Sequence, residues 1–195
     1  MRHGQTEMNV QKLNQGWWDS PLTEAGIEGA RLAGRYVKAA GIKPDHLYSS
    51  SSERACDTLE LVFPEQPYTR KKGLKEYHFG LFEGKNGFLN PPRPFGDTFV
   101  PFGGESDEMV RERMNDTLSE IMMQPDHQTV LAVSHGAACA RFLSKWIATS
   151  NLQSYQSPIP NCSLFVYEFD DENQTFNLID MITPDRQQAF LDEQA

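Results

Sequence analysis

Residues 129–136 read TVLAVSHG, a pattern typical of a buried strand with a turn into a helix. The continuous β-branched and apolar run from 129 to 133 predicts a strand that is covered on both faces, as is typical of a parallel sheet between helical layers. Residues 136–148 follow at once and predict the helix that returns from this strand. A strand followed directly by a helix is the repeating unit of α/β proteins.

The same unit occurs earlier in the chain. Residues 46–50 (HLYSS) predict a short buried strand, and residues 53–63 predict the helix after it, which Pro64 stops. Two further helices and a C-terminal hairpin complete the pattern, namely helices over 22–40 and 105–124 and strands over 162–169 and 175–181. This alternation predicts an α/β protein with a mostly parallel central sheet.

Residues 80–104 break the alternation. They hold four of the twelve prolines and five of the twelve phenylalanines, so they are too apolar for a linker and too interrupted for a regular element. Long ordered excursions of this kind are often lids or binding loops. We therefore expect residues 1–195 to form a single domain with a lid insertion at about 81–105.

Composition excludes several classes of function. Eighteen basic and 27 acidic residues give a net charge of −9, which argues against binding nucleic acid through a basic face. Three cysteines without a C-x-x-C pair predict neither a disulfide scaffold nor a zinc ribbon. No apolar run approaches the roughly 18 residues that span a bilayer, and the opening MRHGQTEMN is too polar for a signal peptide. We expect a cytoplasmic protein without a membrane partner, and its oligomeric state is open.

Reactive side chains follow the predicted strands. Arg54 lies just after the strand over 46–50, and His135 lies just after the strand over 129–133, while His3 opens the chain beside Arg2. Because the carboxyl ends of parallel strands meet at one edge of a sheet, we expect these side chains to lie close together. Two arginines and two histidines would form a polycationic pocket in an anionic protein.

A pocket of this kind suits a phosphoryl group. Planar guanidinium groups match its oxygens bidentately and neutralise their charge, so neither a metal nor another cofactor is required. A neutral imidazole can act as the nucleophile and form a phosphohistidine, and nearby arginines favour the neutral form of His3. Glu76, in LKEYHFG at the approach to the insertion, is the candidate acid that protonates the leaving oxygen.

Six motifs in this order resemble the histidine phosphatase superfamily, in its phosphoglycerate-mutase-like branch. They are RHGQTEMN (2–9), QGWWDSPLTEAG (15–26), YSSSSERACDT (48–58), LKEYHFGLFEG (74–84), GGES (103–106) and VSHG (133–136). Together they cover the chain from residue 2 to about residue 140. The resemblance implies a three-layer α/β/α sandwich with a mostly parallel central sheet and an insertion that caps the active site.

The resemblance also implies roles for individual residues. His3 would be the phosphorylated nucleophile, and Glu76 would be the proton donor. Three residues would bind the transferring phosphoryl group, namely Arg2, Arg54 and His135. Asn9 would donate a hydrogen bond to the same phosphate, and Gln15 and Gly136 would lie on the substrate side of the pocket.

The composition of the insertion bears on the reaction. Mutases of the resembled family carry additional basic residues there, including a paired arginine, whereas residues 81–105 hold only Lys85 and Arg93 as cations and are rich in phenylalanine. An apolar lid suits a phosphomonoester with a hydrophobic body, or broad specificity. We therefore predict a metal-independent phosphomonoester phosphatase. The alternatives are a cofactor-dependent phosphoglycerate mutase and a non-catalytic module that binds phosphoanions.

Other phosphatase chemistries lack their motifs. A cysteine nucleophile would need an arginine six residues later, but those positions hold Val62, Lys145 and Glu168. D-x-D-x-T, G-x-S-x-G, the P-loop, G-x-G-x-x-G and H-E-x-x-H are all absent from the sequence.

The start of the sequence leaves one expectation open. By analogy with Arg54 and His135, a buried strand should lead into His3, yet only Met1 stands before Arg2. Our hypothesis is that about five apolar residues, the usual length of a strand, precede Met1 in the natural protein.

Overall fold

The computed structural model describes residues 1–150 and 158–194. Its helices are α1 (Glu7–Val10), α2 (Glu24–Ala39), α3 (Glu53–Val62), α4 (Asp107–Met122), α5 (Gly136–Trp146) and α6 (Pro184–Glu193). Its strands are β1 (His46–Ser50), β2 (Thr69–Lys71), β3 (Val130–Val133), β4 (Leu164–Asp170) and β5 (Thr175–Ile182). Short 3-10 turns occupy Lys72–Leu74, Gly80–Phe82, Gly87–Leu89, Val100–Phe102 and Ile147–Thr149.

A parallel sheet lies at the centre of the molecule, as the sequence predicts. β1 pairs in parallel with β2 on one side and with β3 on the other, which places Leu47 opposite Leu131 and Tyr48 opposite Ala132. β4 and β5 form the predicted antiparallel hairpin, with a register shift between Val166 and Tyr167.

The first three residues join the central sheet to the hairpin. Arg2 forms a parallel bridge with Ser134, and the His3 amide donates to the Ser134 carbonyl at 3.0 Å. On its other side Arg2 donates to the Ser163 carbonyl at 3.0 Å and accepts from the Cys162 amide at 3.1 Å. Beside this junction, apolar side chains of β3, β4 and α4 line a cavity of 650 Å³. The hypothesis of an apolar strand before Met1 stays a prediction.

Helices cover both faces of the sheet and give three layers. Side chains in β1 alternate between faces, so Leu47 joins the core under α2 and α3 while Tyr48 joins the core under α4 and α5. Polar caps set the helix starts, because Thr23 accepts from the Gly26 amide and Ser106 accepts from the Met109 amide, both at 3.1 Å. The predicted α/β/α sandwich is confirmed.

Three elements lie outside the predicted ones, namely α1, β2 and α6. α1 and β2 have four and three residues, which is too short for a periodic pattern to show. α6 carries its start signals in Pro184 and Asp185 at the first turn, and a single buried side chain, Gln187, gives it a weak apolar face. Within the described residues, no helix has the length and apolar character to cross a membrane.

The insertion over 81–105 contains 3-10 turns and, among its residues, neither an α-helix nor a strand. Phe95 and Phe99 are buried against Tyr77 and Phe79, with ring centroids 5.1–6.1 Å apart. Phe88, in contrast, is 78% exposed. The aromatic residues of the insertion therefore extend the core under α4 and α5.

Candidate active site

A cavity of 410 Å³ opens at the carboxyl ends of β1 and β3. Seven of the eight residues that the sequence singles out line it, namely Arg2, His3, Asn9, Gln15, Arg54, Glu76 and Gly136. The eighth, His135, is completely buried and lies against His3, with ring centroids 5.0 Å apart in an edge-on arrangement.

His3 presents one ring nitrogen towards Arg54. Its Nδ1 lies 2.7 Å from the Gly4 carbonyl, which can only accept a hydrogen, so Nδ1 carries the proton and Nε2 keeps its lone pair. His3 Nε2 lies 3.4 Å from Arg54 Nε, and the His3 side chain is 2% exposed. Burial, followed by the charges of Arg54 and Arg2, holds the pKa of His3 well below its usual value of 6.5. His3 is therefore a neutral imidazole whose Nε2 lone pair accepts from Arg54 Nε.

Arg54 is a buried cation in the first turn of α3. Its guanidinium donates to the carbonyls of Gly16 at 2.9 Å and Trp18 at 2.7 Å, and it pairs with Asp19 at 3.0 Å. Burial lowers the pKa of Arg54, although Asp19 opposes the shift, and an arginine remains charged in any case. The three partners fix the guanidinium with its Nε towards His3.

Arg2 has an unsatisfied donor at the cavity. Its Nη1 donates to the Ile159 carbonyl, whereas its buried Nε has no hydrogen-bond partner among the described residues. An unpaired buried donor costs about 1–3 kcal/mol, and an anionic oxygen in the cavity would satisfy it. Gly136 leaves room for this group, because a Cβ at that position would lie 3.1 Å from Arg2 Nε.

His135 stands at the N-cap of α5. Its Nε2 lies 2.7 Å from the Ser50 hydroxyl, and its buried Nδ1 has no partner within residues 1–150 and 158–194. Burial, followed by the charge of Arg54, holds the pKa of His135 well below 6.5. Both histidines of the site are therefore neutral at neutral pH.

Glu76 places its carboxylate on the N-terminus of α5. Its oxygens accept from the amides of Ala138 at 2.8 Å and Ala137 at 3.1 Å. The backbone carbonyl of Glu76 accepts from Trp17 Nε1 at 3.0 Å and from Arg113 at 3.2 Å. Both ends of the residue are thus held, and its carboxylate lines the same cavity as His3.

The two predicted amide residues differ in what they can offer a ligand. Asn9 uses its Oδ1 to accept from the Thr6 amide and from Asn161, both at 3.2 Å, and its Nδ2 makes no hydrogen bond within the described residues. Gln15 is engaged at both ends, because it accepts from the Thr6 hydroxyl and donates to Ser20, each at 3.0 Å. Asn9 can therefore donate to a ligand, whereas Gln15 shapes the wall.

Two arginines that the sequence did not single out as site residues also line the cavity. Arg141, on α5, pairs with the buried Asp107 at 3.0 Å, and Arg93, in the insertion, is exposed over the ring of Phe95. Arg141 could have been found, because a helix that begins at Gly136 brings 137, 140 and 141 to one face. Arg93 lies in an irregular segment where no periodicity applies.

The phenylalanines of the insertion are turned away from the cavity. Apolar lining comes from Phe79, Leu13, Pro94 and Ile159 and from two alanines of α5 and Pro158. Because Arg93 and Arg141 also line it, the cavity is more cationic than the composition of the insertion predicts. Among the described residues, no group of three or more histidine, cysteine or acidic side chains is arranged to hold a metal ion.

Comparison with known proteins gives consistent similarities over most of the chain. A family model described as the histidine phosphatase superfamily (branch 1) matches residues 1–181. The broad-specificity phosphatase YOR283W of Saccharomyces cerevisiae is 29% identical over 189 residues, which are 90% of this chain and 80% of the yeast protein. The probable phosphoglycerate mutase GpmB of Proteus mirabilis is 31% identical over 175 residues, which are 84% of this chain and 80% of that protein.

The fold is also similar to that of a solved structure. YhfR of Bacillus stearothermophilus superimposes with a TM-score of 0.75 at 29% identity, and the match covers 91% of this chain and 92% of that chain. Sequence and fold comparisons thus agree over the segments that build the cavity.

Proposed function

The chain belongs to branch 1 of the histidine phosphatase superfamily, and we propose that it is a metal-independent phosphatase of small phosphomonoesters. One observation carries the proposal. The neutral, buried His3 presents Nε2 to Arg54 in a cavity that also contains Arg2 and the carboxylate of Glu76. The yeast relative, which is named a broad-specificity phosphatase, supports the same reaction.

In the first step His3 is phosphorylated. The phosphoryl group lies between Arg2 and Arg54, and its oxygen satisfies the open Nε of Arg2. His3 Nε2 attacks phosphorus in line, a P–N bond forms, and the bond to the leaving oxygen breaks. Glu76 gives its proton to that oxygen. The Gly4 carbonyl accepts from Nδ1–H and stabilises the positive charge that develops on the ring.

In the second step water takes the phosphoryl group. Glu76, now a carboxylate, accepts a proton from the water as it attacks phosphorus, and the P–N bond breaks to release inorganic phosphate and neutral His3. We also assign His135 to phosphoryl binding, through the unsatisfied Nδ1 that lies buried beside the site. Asn9 donates to the same group through its Nδ2.

A second candidate is a phosphoglycerate mutase, and Arg93 and Arg141 favour it. A mutase must hold a small acid that carries a second anionic group, and the two arginines in the cavity wall can bind one. The Proteus mirabilis relative is named a probable phosphoglycerate mutase. A non-catalytic binding module is disfavoured because binding alone requires neither a nucleophile at His3 nor an acid at Glu76.

The test measures phosphate release from a generic aryl phosphate with EDTA present. We expect turnover and an acid-labile, alkali-stable phosphoenzyme that is lost in His3→Asn. His127→Gln is the matched control, because His127 lies near the start of β1, where it contacts His46 and Tyr48, at the opposite end of that strand from the cavity. Interconversion of phosphoglycerates much faster than any hydrolysis would establish the mutase. Absence both of turnover and of a phosphoenzyme with every substrate of a panel would favour the binding module.

We further propose that residues 1–195 act as a single domain in the cytoplasm, on small soluble phosphomonoesters. All three cysteines lie in described segments, and they are free, buried thiols. Burial raises the pKa of Cys162 to about 12. Unpaired thiols of low reactivity suit a reducing compartment.

A further inference from the structure

Glu83 is a buried carboxylate to which the mechanism above gives no part. It stands in the insertion, is 6% exposed, and belongs to the LFEG end of the fourth motif. Its Oε1 accepts from the amide of Trp17 at 2.8 Å, and its Oε2 accepts from the amide of Trp18 at 3.1 Å. Its Oε1 also lies 3.3 Å from the Phe79 amide and 3.4 Å from His78 Nε2.

The loop that Glu83 holds is shaped to receive it. Gly16 has φ +54, and a Cβ at this position would lie 2.3 Å from Glu83 Oε1. The Trp18 amide also donates to the Gln15 carbonyl at 2.9 Å, which closes a tight turn. The carboxylate therefore sits where any side chain at position 16 would collide with it, and it fixes the two amides that follow.

That same turn supports two residues of the site. Its carbonyls at Gly16 and Trp18 accept from the Arg54 guanidinium at 2.9 and 2.7 Å. Its indole at Trp17 donates to the Glu76 carbonyl at 3.0 Å. Glu83 thus holds the turn that contacts both Arg54, which is assigned to bind the phosphoryl group, and Glu76, which is assigned to donate the proton.

We propose that Glu83 is a positioning residue that keeps Arg54 and Glu76 in their relative placement across the cavity. The inference rests on the proposed function, because it concerns the roles of those two residues. Glu83 touches neither the substrate nor the reacting atoms. It acts through the amides of Trp17 and Trp18, so its loss displaces Arg54 and loosens Glu76 together.

A purely structural role for Glu83 predicts a different result. If the carboxylate only anchors the insertion, its loss lowers the melting temperature and leaves the chemistry of the folded enzyme unchanged. Displacement of Glu76 would instead lower the rate more for a substrate whose leaving group needs a proton. The leaving oxygen of an alkyl phosphate must be protonated as the bond to phosphorus breaks, whereas nitrophenolate leaves readily without a proton.

The experiment compares kcat/KM for p-nitrophenyl phosphate and for an alkyl phosphate. It uses the wild-type protein, Glu83→Gln and Asp45→Asn, each well below its melting temperature. For Glu83→Gln we expect a loss of about 10-fold with the nitrophenyl ester and about 100-fold with the alkyl ester, since acid catalysis contributes 10²–10⁴-fold. The control is Asp45→Asn. Asp45 also accepts two backbone amides at 2.9 Å, but it does so next to the start of β1, at the opposite end of that strand from the cavity.

A second variant tests the link to Glu76 without touching a buried group. Trp17→Phe removes the indole donor of a residue that is 43% exposed, and it should lower the rate with the alkyl ester several-fold more than the rate with the nitrophenyl ester. Equal losses with both esters in Glu83→Gln and Trp17→Phe, or none, would overturn the inference. If the wild-type protein forms no phosphoenzyme and hydrolyses neither ester, the proposed function fails instead.

Discussion

The two walls of the cavity differ in the contacts that hold their side chains. The phosphoryl wall consists of His3, Arg54 and Glu76, and each side chain is held by backbone groups. The neighbouring Gly4 carbonyl holds His3, the Gly16 carbonyl holds Arg54, and the amides at the start of α5 hold Glu76. The second wall, the insertion wall, includes Arg93 and Pro94 of the insertion, which is held by the packing of Phe95 and Phe99 and presents the exposed Arg93. The catalytic groups thus depend on tight backbone contacts, to which the insertion contributes Glu83, while the exposed part of the insertion faces the rest of the substrate.

The largest effect should follow from removing the nucleophile on the phosphoryl wall. We expect His3→Asn to lower kcat/KM by at least about 10⁴-fold for every phosphomonoester, because no other group takes over covalent catalysis. Substrate binding should persist, since Arg2 and Arg54 remain. Rates from a substrate panel, with calorimetric phosphate binding as the control, check this. A residual rate within tenfold of wild type would refute the assignment of His3.

The aromatic core of the insertion gives the next effect, on stability. Phe99 is fully buried and contacts Tyr77, Phe79 and Phe95 edge-on. We expect Phe99→Ala to lower the free energy of unfolding by about 3–5 kcal/mol. Phe88→Ala is the matched control in the same segment, and it should change stability by less than about 0.5 kcal/mol. Urea denaturation measures both, and similar losses for the two variants would show that Phe99 is no better packed than the exposed Phe88.

Acid should lower the stability of the folded protein through the two buried histidines of the site. The pKa values of His3 and His135 lie below 6.5 in the folded protein. Below about pH 6.5 the unfolded chain therefore binds protons that the folded chain does not, and stability falls as the pH decreases. The two groups together contribute up to about 2.7 kcal/mol per pH unit, and they contribute no slope well above pH 6.5. Urea midpoints between pH 5 and 8 measure the slope, and His135→Asn should reduce it by up to half.

The smallest effect should come from the exposed cation of the insertion wall. Arg93 has no ion-pair partner among the described residues and lines the cavity, so we expect Arg93→Ala to raise KM about 5–10-fold for a phosphomonoester that also bears a carboxylate. The same variant should leave KM for phenyl phosphate unchanged. Steady-state kinetics with both substrates decide the matter, and equal changes would show that Arg93 does not select for a second anion.

Much of the phosphoryl wall could be predicted from sequence, because its residues stand next to strong local signals. TVLAV and HLYSS are buried strands followed by helices, and topology then brings His135 and Arg54 to one edge of the sheet. The insertion could not be predicted in this way. Phe95 and Phe99 carry no periodicity, so nothing in the sequence shows that they pack on Tyr77 instead of facing the cavity.

Long-range contacts explain the remaining omissions. Glu83 reads as one more acidic residue in a loop, since its partners Trp17 and Trp18 lie 65 or more positions away. Asn161, which donates to the His3 carbonyl at 2.9 Å, lies 158 positions from it. Pairings of this kind depend on the final fold, and a single sequence does not reveal them.

The position of His3 on the junction between the sheet and the hairpin also governs when activity can arise during synthesis. Its amide is held by Ser134, and its neighbour Arg2 is held by Ser163. Contacts this distant in sequence form late in folding, because the intervening chain must first be ordered. A nascent chain that has exposed β1, β3 and their helices would still lack Cys162 and Ser163, which complete the support of the nucleophile. The nucleophile precedes β1 and β3 in the chain, yet it becomes competent only after both have folded.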